Sequence, residues 1–230
     1  MGQPSGIGVL DKAVAVLAAA AARPVSLADL VAGTALPRAT AHRIAVALEV
    51  HSLLARDTDG RWIPGTALSA LAGSDPLLAA APAVLQQLSD QTGESAQLYR
   101  REGSRRVCVA AVDRASGLRD TVPVGARLPM TAGSAAQVLA AWSRDAGVPA
   151  GAVYNARTLS VVRRRGWAVS VGQREPGVAS VSAPVLDGDS VVAAISVSGP
   201  ADRLGRAPGE RLSPSVLLAA RQLSTTVHAR

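Results

Sequence analysis

A chain of 230 residues, nearly half of them apolar, has material for one large or two modest domains with real cores. Phenylalanine is absent and Cys108 is the single cysteine, so the core must be Ala, Val and Leu, and an internal disulfide or a cysteine metal cage is excluded. Net charge is +7, yet residues 1–75 hold six Lys or Arg against six Asp or Glu, so any nucleic-acid contact there needs local placement of arginines rather than a broadly basic surface.

Taken in order, the chain opens on Gly6 and Gly8, which read as a flexible leader with no basic-then-apolar targeting segment. Leu10, Val14 and Leu17 then fall at helical spacing and predict an amphipathic helix closed by Arg23-Pro24. No apolar run reaches the ~18 residues of a membrane span, and the expected location is the cytoplasm. Ser26 is a good N-cap for a second helix carrying Leu27, Leu30 and Val31, with Gly33 expected as its left-handed terminator. Leu36-Pro37 starts a third helix. On it Ala41, Ile44, Ala45 and Leu48 form an inward stripe, while Ala39, His42 and Arg43 lie opposite, flanked by Arg38 and Thr40. Leu53 to Arg56 and Arg61 to Ile63 flank the turn Asp57-Thr58-Asp59-Gly60, a hairpin signal.

Helix, short turn, helix and hairpin make a winged helix-turn-helix. Residues at the start of its second helix meet base edges, and an arginine fork matches the two acceptors of guanine. The expected DNA-binding residues are Ser26, Arg38, Ala39, Thr40, His42 and Arg43, with small Ala39 and Ala41 permitting close approach. Arg61, at the wing edge, is expected to reach a phosphate or the minor groove. Winged helices also dock on proteins, and a protein-interaction module is a competing reading.

Thr66, Leu68, Leu71 and Ala72 suggest a connecting helix, and Gly73-Ser74-Asp75-Pro76 a boundary. The expected domains are 1–65 (DNA binding), 66–75 (linker helix) and 76–230 (effector binding and oligomerisation). A helix from Leu77 to Thr92 should kink or restart at Pro82. Strands at Ser95 to Arg100 and Arg106 to Val112 flank Glu102-Gly103. An extended stretch from Leu118 to Val124 and a turn at Leu128-Pro129 follow, then helices from Ala135 to Trp142 and Ala156 to Arg165. Ala179 to Val185 and Val191 to Ser198 alternate around Asp187-Gly188-Asp189, and a last helix spans Ser213 to Thr226. Hairpins separated by helices imply an α+β domain with an antiparallel sheet flanked by helices. Arg100, Arg101, Arg105 and Arg106 read as a solvated face.

Cysteine catalysis needs a base near the thiol, but His42, His51 and His228 all lie outside the segments expected around Cys108. No phosphate-binding glycine loop, metal-ligand cluster or carboxylate pair is present, so no enzyme activity, cofactor or metal is expected. The alternative is a metabolite-binding or metabolite-processing enzyme that uses Cys108. A binding pocket has better support: Cys108, Ser180, Ser182 and Ser196 sit on apolar strands, and the helix start at Thr131, Gly133 and Ser134 offers backbone donors to a carboxylate. With Asp120 receiving an α-amino group, the expected effector is an amino acid or keto acid.

The chain resembles the IclR family of bacterial transcriptional regulators along nearly its whole length. The likeness rests on Gly8 to Ala13, Leu36 to Arg43 and the wing. It continues through Val124-Gly125, Leu128-Pro129, Arg164 to Ala168, Gly177, Ser182 to Val185, and Ala193 to Pro200 with Arg203 downstream. Gly93 to Arg101, Gly117 to Gly125 and Arg174 to Ser182 resemble an actinobacterial branch that includes a regulator of leucine and tryptophan biosynthesis. The resemblance implies a GAF-like effector domain, double-stranded operator DNA as partner, a homodimer or homotetramer, no membrane contact, and control of leucine biosynthesis genes. It departs from the wider family where Gly-Lys is common and Ala136-Gln137 stands, where Asp and Glu are common and Ser170 and Gln173 stand, and where Cys is common and Ser180 stands.

Overall fold

Ser26 and Asp29 begin the second helix by bonding each other's backbone: Asp29 N donates to Ser26 Oγ at 3.2 Å, and Ser26 N donates to Asp29 Oδ2 at 2.9 Å. Two orphan donors of the helix start are thereby satisfied. The computed structural model describes residues 5–72, 75–143 and 147–228, and residue contacts divide the chain into two units, at Asp75 and Pro76.

The first unit runs α1 (Gly8–Ala22), α2 (Leu27–Thr34), α3 (Arg38–Val50), β1 (Leu54–Arg56), β2 (Trp62–Pro64) and α4 (Thr66–Ala72). α1 begins at Gly8, where the sequence suggested leader. Gly33 lies inside α2, and the left-handed residue is Ala35 at φ 56°. The two extra residues hold because Thr34 Oγ1 bonds Leu30 O and Ala35 N bonds Val31 O at 3.0 Å, so these two carbonyls are satisfied without a glycine at the left-handed position. Val16, Ala20, Leu30, Ala41, Ala45 and Leu48 meet Leu54 and Trp62 in one core. Val25 and Trp62 exchange backbone bonds of 3.0 and 2.8 Å, which ties the wing to the α1–α2 connection.

The second unit contains α5 (Pro76–Thr92), β3 (Ser95–Glu102), β4 (Arg105–Val112), β5 (Arg127–Pro129), α6 (Ser134–Ala141), α7 (Ala156–Arg165), β6 (Ala168–Val171), β7 (Val178–Asp187), β8 (Ser190–Pro200), α8 (Ala201–Leu204) and α9 (Pro208–His228). Its sheet is antiparallel throughout, in the order β5-β4-β3-β8-β7-β6. Strand alternation sorts the two faces. Val181, Ala183, Ile195 and Val197 pack against Leu85 and Leu88 of α5 and Val216 and Leu223 of α9. Truncating a wholly buried leucine such as Leu85 to Ala should cost about 2–5 kcal/mol. Residues of the other parity face α6, and there Ser180, Ser182, Ser196 and Ser198 stand.

Pro82 does not divide α5. It is exposed, and the buried row Leu77, Ala81, Leu85 and Leu88 holds the helix through it. Likewise α9 starts at Pro208, five residues before the expected Ser213, with proline tolerated in its first turn. Leu118 to Val124 forms no strand. β5 instead forms at Arg127–Pro129, where a turn was expected, by pairing Arg105↔Pro129 and Val107↔Arg127. Gly73 and Ser74 of the expected boundary lie outside the described residues. Arg203 closes the end of β8 by gripping Glu94 with two bonds of 2.6 and 2.7 Å, and this bond raises the guanidinium above its ordinary range.

Candidate functional site

Two places bring together the residues that the sequence singles out. The first is the outer face of α3. Because Ala41, Ala45 and Leu48 are buried, the helical repeat leaves Arg38, Ala39, His42 and Arg43 exposed and Thr40 half-buried. Ala41, expected to ease approach to DNA, is in the core instead.

Charge pairing sets these arginines apart. Arg23 pairs with Asp29 at 3.0 Å, Arg56 with Glu49 at 3.2 Å, and Arg61 with Asp57 and Asp59 at 2.9 and 2.7 Å. Among the described residues Arg38 and Arg43 have no such partner. A unit with balanced charge thus still offers two uncommitted guanidinium groups on one helix face. Ser26 is committed to its cap, its Oγ donating to Asp29 Oδ2 at 2.7 Å. His42 meets Trp62 edge-on at 6.1 Å, and Arg56 lies 4.1 Å over the same indole, bracing α3 against the wing.

The second place is a cleft between the start of α6 and the sheet. Ser134 Oγ lies 2.7 Å from both Ser180 Oγ and Ser182 Oγ, Ser182 Oγ donates to Ser196 Oγ at 2.9 Å, and Ser198 Oγ donates to Gln97 Oε1 at 3.1 Å. These hydroxyls form a polar floor, since Ser180↔Ser198 and Ser182↔Ser196 are cross-strand pairs. Gly133 introduces α6 at φ 97°, a conformation that suits glycine, and its N–H donates to Gln173 Oε1 at 3.3 Å. The cavity enclosed there is about 10 Å³, room for about one water.

Asp120, Gly133, Ser134, Ser180 and Ser196 meet around this cavity, with Ser182 bonded beneath. Cys108 and Thr131 do not line it. The Cys108 thiol is buried, which pushes its pKa up to about 12, and Sγ donates to Ala110 O and Val122 O at 3.4 and 3.6 Å. Such a thiol lacks both the thiolate and the base that nucleophilic catalysis needs. Thr131 receives Val153 N on its carbonyl at 2.9 Å.

Sequence reasoning missed Tyr99, Arg106, Arg174 and Ser198, which also line the cavity. Arg106, expected on a solvated face, is only 3% exposed. It stands two residues from Cys108 on β4, so the parity that buries Cys108 was the available signal. Its Nη1 donates to Ala132 O at 3.0 Å and to Pro129 O, and its guanidinium lies 5.6 Å from the Tyr99 ring centre. Burial pulls it down to about 10, still protonated at neutral pH. Asp120, expected to receive an amino group, is held by Arg174 Nη2 at 2.6 Å.

Comparison with known proteins follows this two-part layout. The IclR helix-turn-helix domain model matches residues 9–58, and the bacterial transcriptional regulator IclR C-terminal model matches 69–151 and 156–225. The glycerol operon regulatory protein of Streptomyces griseus is 30% identical, over 85% of this chain and 85% of that protein. The transcriptional regulator BhcR of Paracoccus denitrificans is 28% identical, over 95% and 87%. The crystal structure of Thermotoga maritima IclR aligns with a TM-score of 0.67 at 21% identity, covering 96% of this chain and 99% of that one. An IclR homolog from Microbacterium hydrocarbonoxydans, complexed with 4-hydroxybenzoate, gives 0.66 at 23% identity, covering 96% and 100%. These families and curated relatives are transcriptional regulators, not enzymes.

Proposed function

Because the chain belongs to the IclR family of bacterial transcriptional regulators, we propose that it reads its operator through Arg38 and Arg43 of α3 and is switched by a small acid bound under α6. The observation that carries the DNA half is the lack of an acidic partner for these two arginines among the described residues, while Arg23, Arg56 and Arg61 are all paired. Ala39, Thr40 and His42 share their surface, and Ser26 and Arg61 flank it through the cap and the wing. The working division is residues 1–65 for DNA, 66–75 for the linker and 76–230 for effector and assembly, in a cytoplasmic protein.

A homodimer or homotetramer suits this reading, since paired α3 helices would enter major grooves about 34 Å apart on a pseudo-palindromic site. The effector is an amino acid or keto acid held by the serine floor, Asp120 and the α6 start. It alters DNA affinity only through different affinities for two arrangements of the assembly, with α4 as the lever. The target genes are those of leucine biosynthesis, a reading supported by the branch-like segments Gly93 to Arg101, Gly117 to Gly125 and Arg174 to Ser182.

Footprinting the full-length protein on its own upstream region and the neighbouring promoters, with and without leucine and 2-oxoisocaproate, tests this. Two protected half-sites that change with either compound are expected. Absence of any protected site would remove the operator reading, and protection indifferent to both compounds would remove the leucine reading.

A further inference from the structure

Arg106 is a buried cation whose partners are all uncharged. Its Nη1 donates to the carbonyls of Pro129 and Ala132, its Nε has no partner, and no carboxylate pairs with it among the described residues. The nearby acid, Asp120, is already held by Arg174 at 2.6 Å. Two guanidinium groups and one carboxylate leave the cavity wall with an excess of one positive charge. A buried charge without a counter-ion is costly, and the cost is relieved when an anion enters.

A second buried donor is also unanswered. Gln97 is wholly buried, and while its Oε1 accepts Ser198 Oγ at 3.1 Å, its Nε2 has no partner. Among the described residues, Arg106 Nε in the cavity wall and Gln97 Nε2 behind Ser198, which lines the cavity, both lack an acceptor. Nor does the backbone obstruct the guanidinium: Arg106 Nη2 would stand 3.0 Å from a Cβ at Gly133, so the glycine lets it lie against the start of α6.

We propose that Arg106 is the charge-selecting residue of this pocket, and that the pocket takes a small 2-oxo or 2-hydroxy monocarboxylate in preference to a zwitterionic amino acid. This inference rests on the effector-site reading above and chooses between its two ligand classes. The carboxylate would meet Arg106 and the α6 start, and the oxo or hydroxyl oxygen would meet the serine floor. An ammonium group would enter beside two cations, and Asp120, the one carboxylate that lines the cavity among the described residues, is already engaged by Arg174. Because the cavity now admits about one water, binding must also move a wall, and the Arg174 and Asp120 side chains, which are bonded to each other and not to the serine floor, form the wall that would move.

Calorimetry on the full-length protein with pyruvate, 2-oxoisocaproate, pyruvamide and leucine tests the assignment. At least one oxo acid should bind, with leucine at least about tenfold weaker and pyruvamide at least about tenfold weaker than pyruvate, since a charge-assisted contact is lost. Arg106→Gln should weaken the acid by a similar factor, and Arg106→Lys by less. The acid and amide comparison uses the unaltered protein, so it stands even if the variants fail to fold, which melting by circular dichroism checks. Equal binding of acid and amide, leucine binding as tightly as the oxo acids, no heat from either acid, or a folded Arg106→Gln with unchanged affinity would each overturn it. Acid binding in a protein that protects no DNA would support the charge assignment while removing the operator reading.

Discussion

Arg174 presents a single nitrogen, Nη2, to both carboxylate oxygens of Asp120 at 2.6 Å, across 54 residues of chain. Both side chains are mostly sheltered, at 21% and 11% exposure, so the pair is less screened than a surface bridge. Asp120→Asn would leave a second sheltered guanidinium beside Arg106. The expected loss is about 2 kcal/mol, in the range of a charged hydrogen bond, read from the urea midpoint of the full-length protein. An unchanged midpoint would mean that the pair contributes nothing to the fold.

Pairing also ranks the arginines of the DNA-binding unit. Arg43→Ala removes a guanidinium with no acidic partner among the described residues and should weaken specific binding by about 1–3 kcal/mol at its cognate base. Arg61→Ala removes one already held by Asp57 and Asp59, and its effect should be about 0–1 kcal/mol. Electrophoretic shift titrations on a footprinted operator separate the two. Equal losses would show that the wing exchanges its internal bridges for phosphate on binding.

The winged helix was legible because its signals are local: a cap at Ser26, a periodic stripe on α3, a polar turn at Asp57 to Gly60. The end of α2 was not, because a threonine hydroxyl and a left-handed Ala35 did what Gly33 was expected to do. In the pocket the serines could be placed from strand alternation, whereas Arg106 was hidden by its chemistry, since an arginine in a basic run reads as solvated until the sheet shows its face buried. Two departures from the family pattern also became intelligible together. Gln137 Nε2 donates to Gln173 Oε1 at 3.0 Å, so a neutral amide pair occupies positions where the resemblance implies Lys and Glu. Such a partnership crosses 36 residues of sequence and has no local signature.

The capping box of α2 makes a pH-dependent contribution. Bonds from the Ser26 side chain and backbone, with Arg23, hold Asp29 at about 2, below its ordinary 3.8. A depressed folded value means that the stabilisation is complete above about pH 4 and is lost as pH falls toward 2. Ser26→Ala should cost about 1 kcal/mol at neutral pH. Asp29→Asn should flatten the acid limb between those values, as followed by helical circular dichroism under urea. Parallel acid limbs in the variant and the parent would remove the assignment.

Gly65 offers the sharpest steric test of the wing. It follows β2, and its N–H donates to Leu53 O at 3.0 Å, while Ala67 N donates to Ser52 O at 3.0 Å, so three backbone segments converge there. A Cβ at Gly65 would stand 2.1 Å from Ser52 O and 2.8 Å from Leu54 O, and neither is the end of a side chain that can swing aside. Gly60, at the tip of the same hairpin, differs in kind: its φ of 74° disfavours a side chain, but nothing lies within 4 Å of the added atom. Gly60→Ala should therefore cost about 1–2 kcal/mol from backbone conformation alone. Gly65→Ala should cost about 3 kcal/mol or more, because relieving the overlap means parting β1 from β2 or shifting α4. Since Trp62 of β2 also braces α3 through His42, the Gly65 variant should lose operator affinity at temperatures where it is still folded, while the Gly60 variant keeps it. Thermal melts paired with shift assays at 20 °C would decide, and equal stability of the two variants would show that the wing has slack that the packing around Gly65 denies.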